Sequence, residues 1–177
     1  MKVVITGGAG FLGFRLAKRL LEVGELTGPD GNKHAIDAIT LFDVGKPLEK
    51  LQKEGVTITA VTGDISDSAT VNNLIDRDDI SVFHLASIVS GGGEKDFDLA
   101  MRVNLDGGRH VMEAVRSRAG QPRLVTASSI ATFGGAHMTD IVGDTAKQTP
   151  QTTYGITKAI FELLINDYTR KGFLHGR

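Results

Sequence analysis

The chain has 177 residues, with 20 Lys and Arg against 21 Asp and Glu and 41% hydrophobic residues, enough for one domain around a buried core. A net charge of −1 sets up no basic field for nucleic acid or an anionic membrane surface. The absence of cysteine excludes disulfide scaffolds, thiolate metal sites and cysteine nucleophiles, so no nucleic-acid, membrane or metal partner is expected, and a cytoplasmic address fits.

The first apolar run, Lys2 to Thr6 (KVVIT), is β-branched and lacks polar alternation, the pattern of a parallel strand covered on both faces. It breaks at glycines too early for a secretory leader or a membrane span. From Phe11 to Val23, Leu12, Leu16, Leu20 and Val23 recur at helical spacing, and Gly24 closes that helix. Thr27 to Lys33 (TGPDGNK) reads as a surface loop, Ile39 to Phe42 as a second buried strand, and Asp43 as its C-terminal end. Pro47 to Lys53 can form a short helix. Val56 to Val61 reads as a third strand, with Ser66 or Asp67 capping the helix beyond it. Ile80 to Ala86 is a fourth strand, Phe97 to Arg118 a long helix, Arg123 to Ser128 a fifth strand, and a last helix starts near Thr153. Strands alternating with helices at this spacing imply right-handed crossovers and an α/β, doubly wound parallel sheet. All of residues 1–177 read as one domain.

Gly7, Gly10 and Gly13 sit three apart, directly between the first strand and the first helix. In that context Gly7 makes the turn, Gly10 lets backbone approach a pyrophosphate, and Gly13 lets the helix pack on the sheet, with helix N–H groups facing the phosphates. Asp43 then suits the ribose hydroxyls of NAD and repels a 2'-phosphate, so NAD is expected rather than NADP. It lies later than the usual spacing of roughly 20 residues because of the Thr27 to Lys33 insertion.

Tyr154 and Lys158, at i and i+4, share one helical face. A phenol of ordinary pKa, about 10, is a poor base at neutrality; a neighbouring ammonium and an oxidised nicotinamide favour the phenolate. Alone, such a pair is common on surface helices. Ser129, just past the fifth strand at the sheet's C-terminal edge, gives it context.

Taken in order, these motifs resemble the extended short-chain dehydrogenase/reductase family, also called the NAD-dependent epimerase/dehydratase family. TGGAGFLG, residues 6–13, resembles its TGxxGxxG loop, Gly63-Asp64-Ile65 its adenine-contacting GD(I/L), and His84-Leu85-Ala86-Ser87 its HLAA. Val103 to Gly107 resembles its VNxxGT, with Gly108 for Thr; Ser128 to Gly134 its SSxxVYG, with Phe133 for Tyr; and Tyr154 to Lys158 its YxxxK. The resemblance implies a Rossmann fold and a catalytic set of Ser129, Tyr154 and Lys158. Ser129 would orient the substrate hydroxyl, Tyr154 accept its proton, and Lys158 bond the nicotinamide ribose. It adds Phe11, Leu12, Asp64, Ile65, Leu85, Ala86 and Asn104 to the cofactor-binding residues. Ser87, Ser90, Ser129 and Ile130 are candidate substrate contacts, with the Gly91-Gly92-Gly93 loop beside them, and His84 is left outside catalysis.

Within the family, the runs His84 to Glu94, Ser128 to Gly135 and Pro150 to Lys158 most resemble members that use NAD to oxidise the C2 hydroxyl of a four-carbon sugar acid. A nucleotide-sugar epimerase or dehydratase, returning its hydride to substrate, is the alternative; a dinucleotide-binding regulator without turnover is a further one. The resemblance also implies a homodimer through a four-helix bundle, in which Val111, Val115, Ile160, Leu164 and Tyr168 serve as interface or as core. Such proteins continue with a further strand and a smaller substrate-binding region, so the nucleotide-binding domain is expected to be incomplete at its C-terminal end. A protein of only these residues is expected to be poorly soluble or inactive, unless they are part of a longer polypeptide.

Overall fold

The computed structural model describes residues 1–136, 138 and 140–177. The chain opens with strand β1 (Lys2–Thr6) and helix α1 (Phe11–Val23), followed by a small antiparallel hairpin, β2 (Glu25–Thr27) and β3 (Lys33–Ala35). Strands β4 (Ala38–Asp43) and β5 (Thr57–Thr62) precede α2 (Ser68–Leu74), β6 (Ile80–His84), α3 (Ser90–Lys95) and α4 (Phe97–Ala100). A π-helical stretch, Met101–Gly107, leads into α5 (Gly108–Arg116) and β7 (Arg123–Thr126), then a 3₁₀ turn at Ile130–Thr132, α6 (Thr153–Arg170) and β8 (His175–Gly176).

Among the described residues the main sheet has six strands in the order β5, β4, β1, β6, β7, β8, with every neighbouring pair parallel. The chain steps outward from β1 through β4 and β5, then returns to β6 on the other side of β1. Loops leaving the C-terminal ends of β1 and β6 part at this reversal and open a crevice, where ligands of doubly wound sheets bind. The absence of polar alternation has its cause in two covered faces. Val3, Ile5, Ile39 and Leu41 pack against Ala17, Leu20 and Leu21 of α1, while Val4, Phe42, Val82 and Leu124 pack against Val71, Val111, Val115 and Phe161 on the opposite side.

Several expectations need correction. Pro47 to Lys53 forms no helix: so short a stretch nucleates poorly on its own, and here Lys53 pairs with Val56 and gives its ammonium to the Leu21 carbonyl while Leu51 packs on the sheet. The triple glycine is not a loop but lies within α3. The expected long helix from Phe97 runs without a break to Arg116, but its middle, Met101–Gly107, is π-helical around Asn104. In place of a missing sixth strand, His175 and Gly176 pair with Arg123 and Leu124. Val111 and Val115 are fully buried core residues, so they offer no surface for a partner; Ile156 and Leu163 are exposed apolar residues of α6. No described helix is long and apolar enough to cross a membrane.

Candidate functional site

The glycine loop is held by its own backbone. Gly7 adopts φ +70°, and a Cβ there would come within 2.9 Å of the Ala86 nitrogen, so the ends of β1 and β6 approach as closely as glycine permits. A Cβ on Gly13 would lie 2.2 Å from the Gly7 oxygen, which is why α1 can start directly against the turn. Gly8 N–H donates to the Phe42 carbonyl at 3.0 Å and Ala9 N–H to Asp43 Oδ2 at 3.0 Å. Asp43 Oδ1 accepts from Val44 N–H at 2.8 Å, so this carboxylate is fixed at the end of β4. Gly10 caps α1 without a side chain, leaving the first-turn N–H groups pointing into the crevice as an anion site.

These residues form one end of a cavity of about 820 Å³. Its wall takes in Gly7, Gly10, Phe11, Leu12 and Gly13 from the loop, Asp43 after β4, Asp64 and Ile65 after β5, and Leu85, Ala86 and Ser87 after β6. Ala127 and Ser128 follow from the end of β7, and Tyr154 and Lys158 from α6. Asp64 Oδ1 accepts from Ser66 N–H at 2.9 Å, and that bond, ahead of the more distant Arg102 charge, holds its carboxyl below the usual carboxylate range.

At the other end, α6 starts on Thr152, whose hydroxyl caps Gly155 N–H at 3.0 Å. Glu94 of α3 accepts from Thr153 N–H at 2.9 Å, so the helix carrying the triple glycine is tied to the first turn of α6. A Cβ on Gly155 would lie 2.0 Å from the Ala131 oxygen, which presses α6 onto the 3₁₀ turn. Lys158 Nζ donates to the Ala127 carbonyl at 2.8 Å and lies 5.6 Å from the centroid of the Tyr154 ring. Burial lowers its ammonium from the ordinary lysine value.

Behind the wall, Asn104 is buried and uses its whole amide. Its oxygen accepts from Ile88 N–H at 2.7 Å and the Ser87 hydroxyl at 3.2 Å; its nitrogen donates to the Ile88 carbonyl at 3.0 Å and Thr157 Oγ1 at 3.2 Å. It therefore joins the segment after β6 to α6 from beneath, outside the cavity wall. The departure at position 108 has a steric reason, because a Cβ there would lie 2.1 Å from the Phe161 ring.

His84 is buried beneath the same floor. Thr6 Oγ1 accepts from Leu85 and Ala86 N–H at 3.1 and 3.2 Å, so its own proton goes to His84 Nδ1 at 2.7 Å and the ring carries hydrogen on Nε2. Burial, and then the Lys158 charge, push His84 down to about 3.

The structure thus gathers the cofactor candidates other than Asn104 along one wall, together with Tyr154, Lys158 and Ser87. Ser129 lies just beyond it, its hydroxyl oxygen accepting from Ala131 N–H at 3.1 Å, and Ile130 is 91% exposed. Ser90 starts α3, outside the wall. Sequence reasoning passed over Ser128, which lines the cavity, and Glu162, which accepts the Ser128 hydroxyl proton. The double serine was a visible signal for the first; nothing in the spacing marked the second.

The model of the NAD dependent epimerase/dehydratase family matches residues 3–176. D-erythronate dehydrogenase of Cupriavidus necator is 48% identical over 177 residues, which is 100% of this chain and 53% of that protein. Among solved structures, a nucleoside-diphosphate-sugar epimerase from Agrobacterium tumefaciens superposes with a TM-score of 0.88 at 39% identity, covering 99% of this chain and 51% of that one. Uronate dehydrogenase from the same organism, in complex with NAD, gives 0.72 at 29% identity, covering 96% and 56%. The chain spans about half the length of the curated relatives it matches.

Proposed function

The chain belongs to the NAD dependent epimerase/dehydratase family, and from that premise we propose that it is the nucleotide-binding part of an NAD-dependent dehydrogenase that oxidises a secondary hydroxyl of a short sugar acid. The observation that carries this reading is the single cavity of about 820 Å³ with Asp43 and the glycine loop at one end and Tyr154 and Lys158 at the other. Its size falls in the range of cofactor pockets, roughly 300–1,000 Å³, and the uncapped start of α1 fits a pyrophosphate. The 48% identity to a D-erythronate dehydrogenase supports the substrate class, with the C2 hydroxyl as the reacting group.

In this reading Asp43 accepts from the adenosine ribose hydroxyls and repels a 2'-phosphate. Tyr154 takes the proton of the substrate hydroxyl as the carbon-bound hydrogen leaves as hydride and the carbinol becomes a carbonyl. When bound, NAD supplies the hydride acceptor. Ser129 holds the same substrate oxygen, and the Lys158 ammonium over the Tyr154 ring offsets the negative charge of the phenolate that receives the proton. Ser87, on the wall of the same cavity, would meet a second substrate hydroxyl. The remaining substrate contacts belong, in this proposal, to a C-terminal region beyond these residues, and dimerisation through α5 and α6 would use exposed Leu163 rather than the buried valines.

The likeness to a nucleoside-diphosphate-sugar epimerase favours a second reading, transient oxidation followed by return of the hydride. Net NADH separates the two. With excess tetronate the full-length dehydrogenase, its C-terminal region included, accumulates absorbance of reduced nicotinamide, and UDP-sugars leave it unchanged; conversion of a UDP-sugar by that protein without net NADH overturns the proposal in favour of the epimerase, and its binding NAD without turnover on either substrate class overturns both.

A further inference from the structure

One carboxylate outside the cavity joins three segments whose relative placement the proposed chemistry requires. We propose that Glu162 is a positioning residue that sets Ser128 and Ser129 against Tyr154 by holding the Ser128 hydroxyl and the Gln148 amide at once. The inference rests on the dehydrogenase reading and concerns a residue that reading does not use.

Tyr154, Lys158 and Glu162 follow one another at i, i+4 and i+8 on α6, each turned about 40° from the last, so they form one stripe over two turns. Lys158 Nζ holds the Ala127 carbonyl at 2.8 Å. One turn on, Glu162 Oε1 accepts from the Ser128 hydroxyl and Oε2 from Gln148 Nε2 at 2.6 Å. Two consecutive residues at the end of β7 are thus held by two consecutive turns of α6. Lys158 on Ala127 and Gly155 against Ala131 hold the two sides of this segment, and Glu162 fixes Ser128 between them.

A lysine and a glutamate at i and i+4 on a helix ordinarily pair with each other. Here they do not: Lys158 turns to a backbone carbonyl and Glu162 to two neutral donors. Gln148 brings in the base of the 133–151 segment, which closes on itself where Thr149 N–H donates to the Thr132 carbonyl at 3.0 Å and Thr149 Oγ1 to the Gly134 carbonyl at 2.7 Å. Glu162 therefore fastens Ser128 and Gln148, near the two ends of the connection between β7 and α6, to the helix that carries Tyr154.

The test pairs turnover with amide hydrogen exchange. Glu162→Ala should lower kcat about 10- to 100-fold, since displacement of order 1 Å at a reacting centre costs that much, while the dissociation constant for NAD stays unchanged and exchange over residues 127–132 rises. Gln148→Glu, which sets two carboxylates in contact, should do the same. The double variant Glu162→Gln/Gln148→Glu rebuilds the pair with donor and acceptor exchanged, and should return kcat to within a few-fold of wild type and exchange to normal. Unchanged kcat in Glu162→Ala alongside an active wild type, or failure of the double variant to recover, overturns the positioning role alone. A wild type that reduces NAD with no sugar acid overturns the functional reading and this role with it.

Discussion

At the Asp43 end of the cavity the wall is mostly backbone: the glycine turn, the N–H groups of α1, and a carboxylate held by the loop's own Ala9 and Val44 amides. At the Tyr154 end it is side chains reaching between segments far apart in sequence, with Asn104 joining Ile88 to Thr157, Glu94 meeting Thr153, and Glu162 meeting Ser128. A site made of backbone tolerates no added atom, and Asp43 is the side chain on which its choice of nucleotide depends. A site made of cross-links tolerates small shifts in shape but fails in steps as the links are cut. The cofactor end is therefore a matter of space, and the chemical end a matter of polar connection.

Two glycine variants separate these ends most sharply. Gly13→Ala puts a methyl 2.2 Å from the Gly7 oxygen, so the turn must open; NAD titration should find binding abolished, and thermal denaturation a loss of about 1–3 kcal/mol. Gly155→Ala meets the Ala131 oxygen at 2.0 Å and should cost similar stability, yet leave the dissociation constant for NAD within a few-fold while kcat falls. If both variants lose NAD binding equally, the two ends are one unit and the comparison is broken.

Asn104→Ala probes the cross-linked end alone. It strands the Ile88 backbone groups and Thr157 in a buried site, for an expected loss of about 1–3 kcal/mol by urea denaturation, with NAD affinity little changed. An effect of pH accrues at His84, beneath the floor. His84 is pushed down to about 3, against about 6.5 in the unfolded chain, so between those values the unfolded chain holds the extra proton. Stability should fall as pH drops through that window, by up to about 1.4 kcal/mol per unit. In His84→Asn, denaturation at pH 7 and pH 5 should show a visibly shallower slope; an unchanged slope would place the pH dependence elsewhere.

The same division explains what could be read from the sequence. β1, the glycine turn, α1 and Asp43 are local: Gly7, Gly10 and Gly13 are themselves the contact surface, and their spacing carries the geometry. Tyr154 and Lys158 were legible because they lie one helical turn apart. Asn104 was legible as a residue but not in its place, because its four partners come from Ser87, Ile88 and Thr157, and no spacing announces a contact across the fold. That amide sits in the π-helical stretch, at whose C-terminal end an added Cβ on Gly107 would meet Ile65 and one on Gly108 the Phe161 ring. Glu162 looked like any helix-surface glutamate, since its partners are 14 and 34 residues away. The helix through Gly91, Gly92 and Gly93 runs against local propensity and is held by its own Asp96 N–H to Gly92 bond and by Glu94 to Thr153, the second of which depends on α6 being in place.

The central claim is that one cavity binds the nucleotide at one end and moves a proton at the other, and Tyr154→Phe tests it on a single protein by measuring NAD affinity and NAD reduction with a tetronate side by side. Removing the phenol oxygen while keeping the ring should lower turnover about 10²- to 10⁴-fold and leave the dissociation constant for NAD nearly unchanged. Turnover retained at the wild-type rate, or NAD affinity lost in step with turnover, would contradict the account.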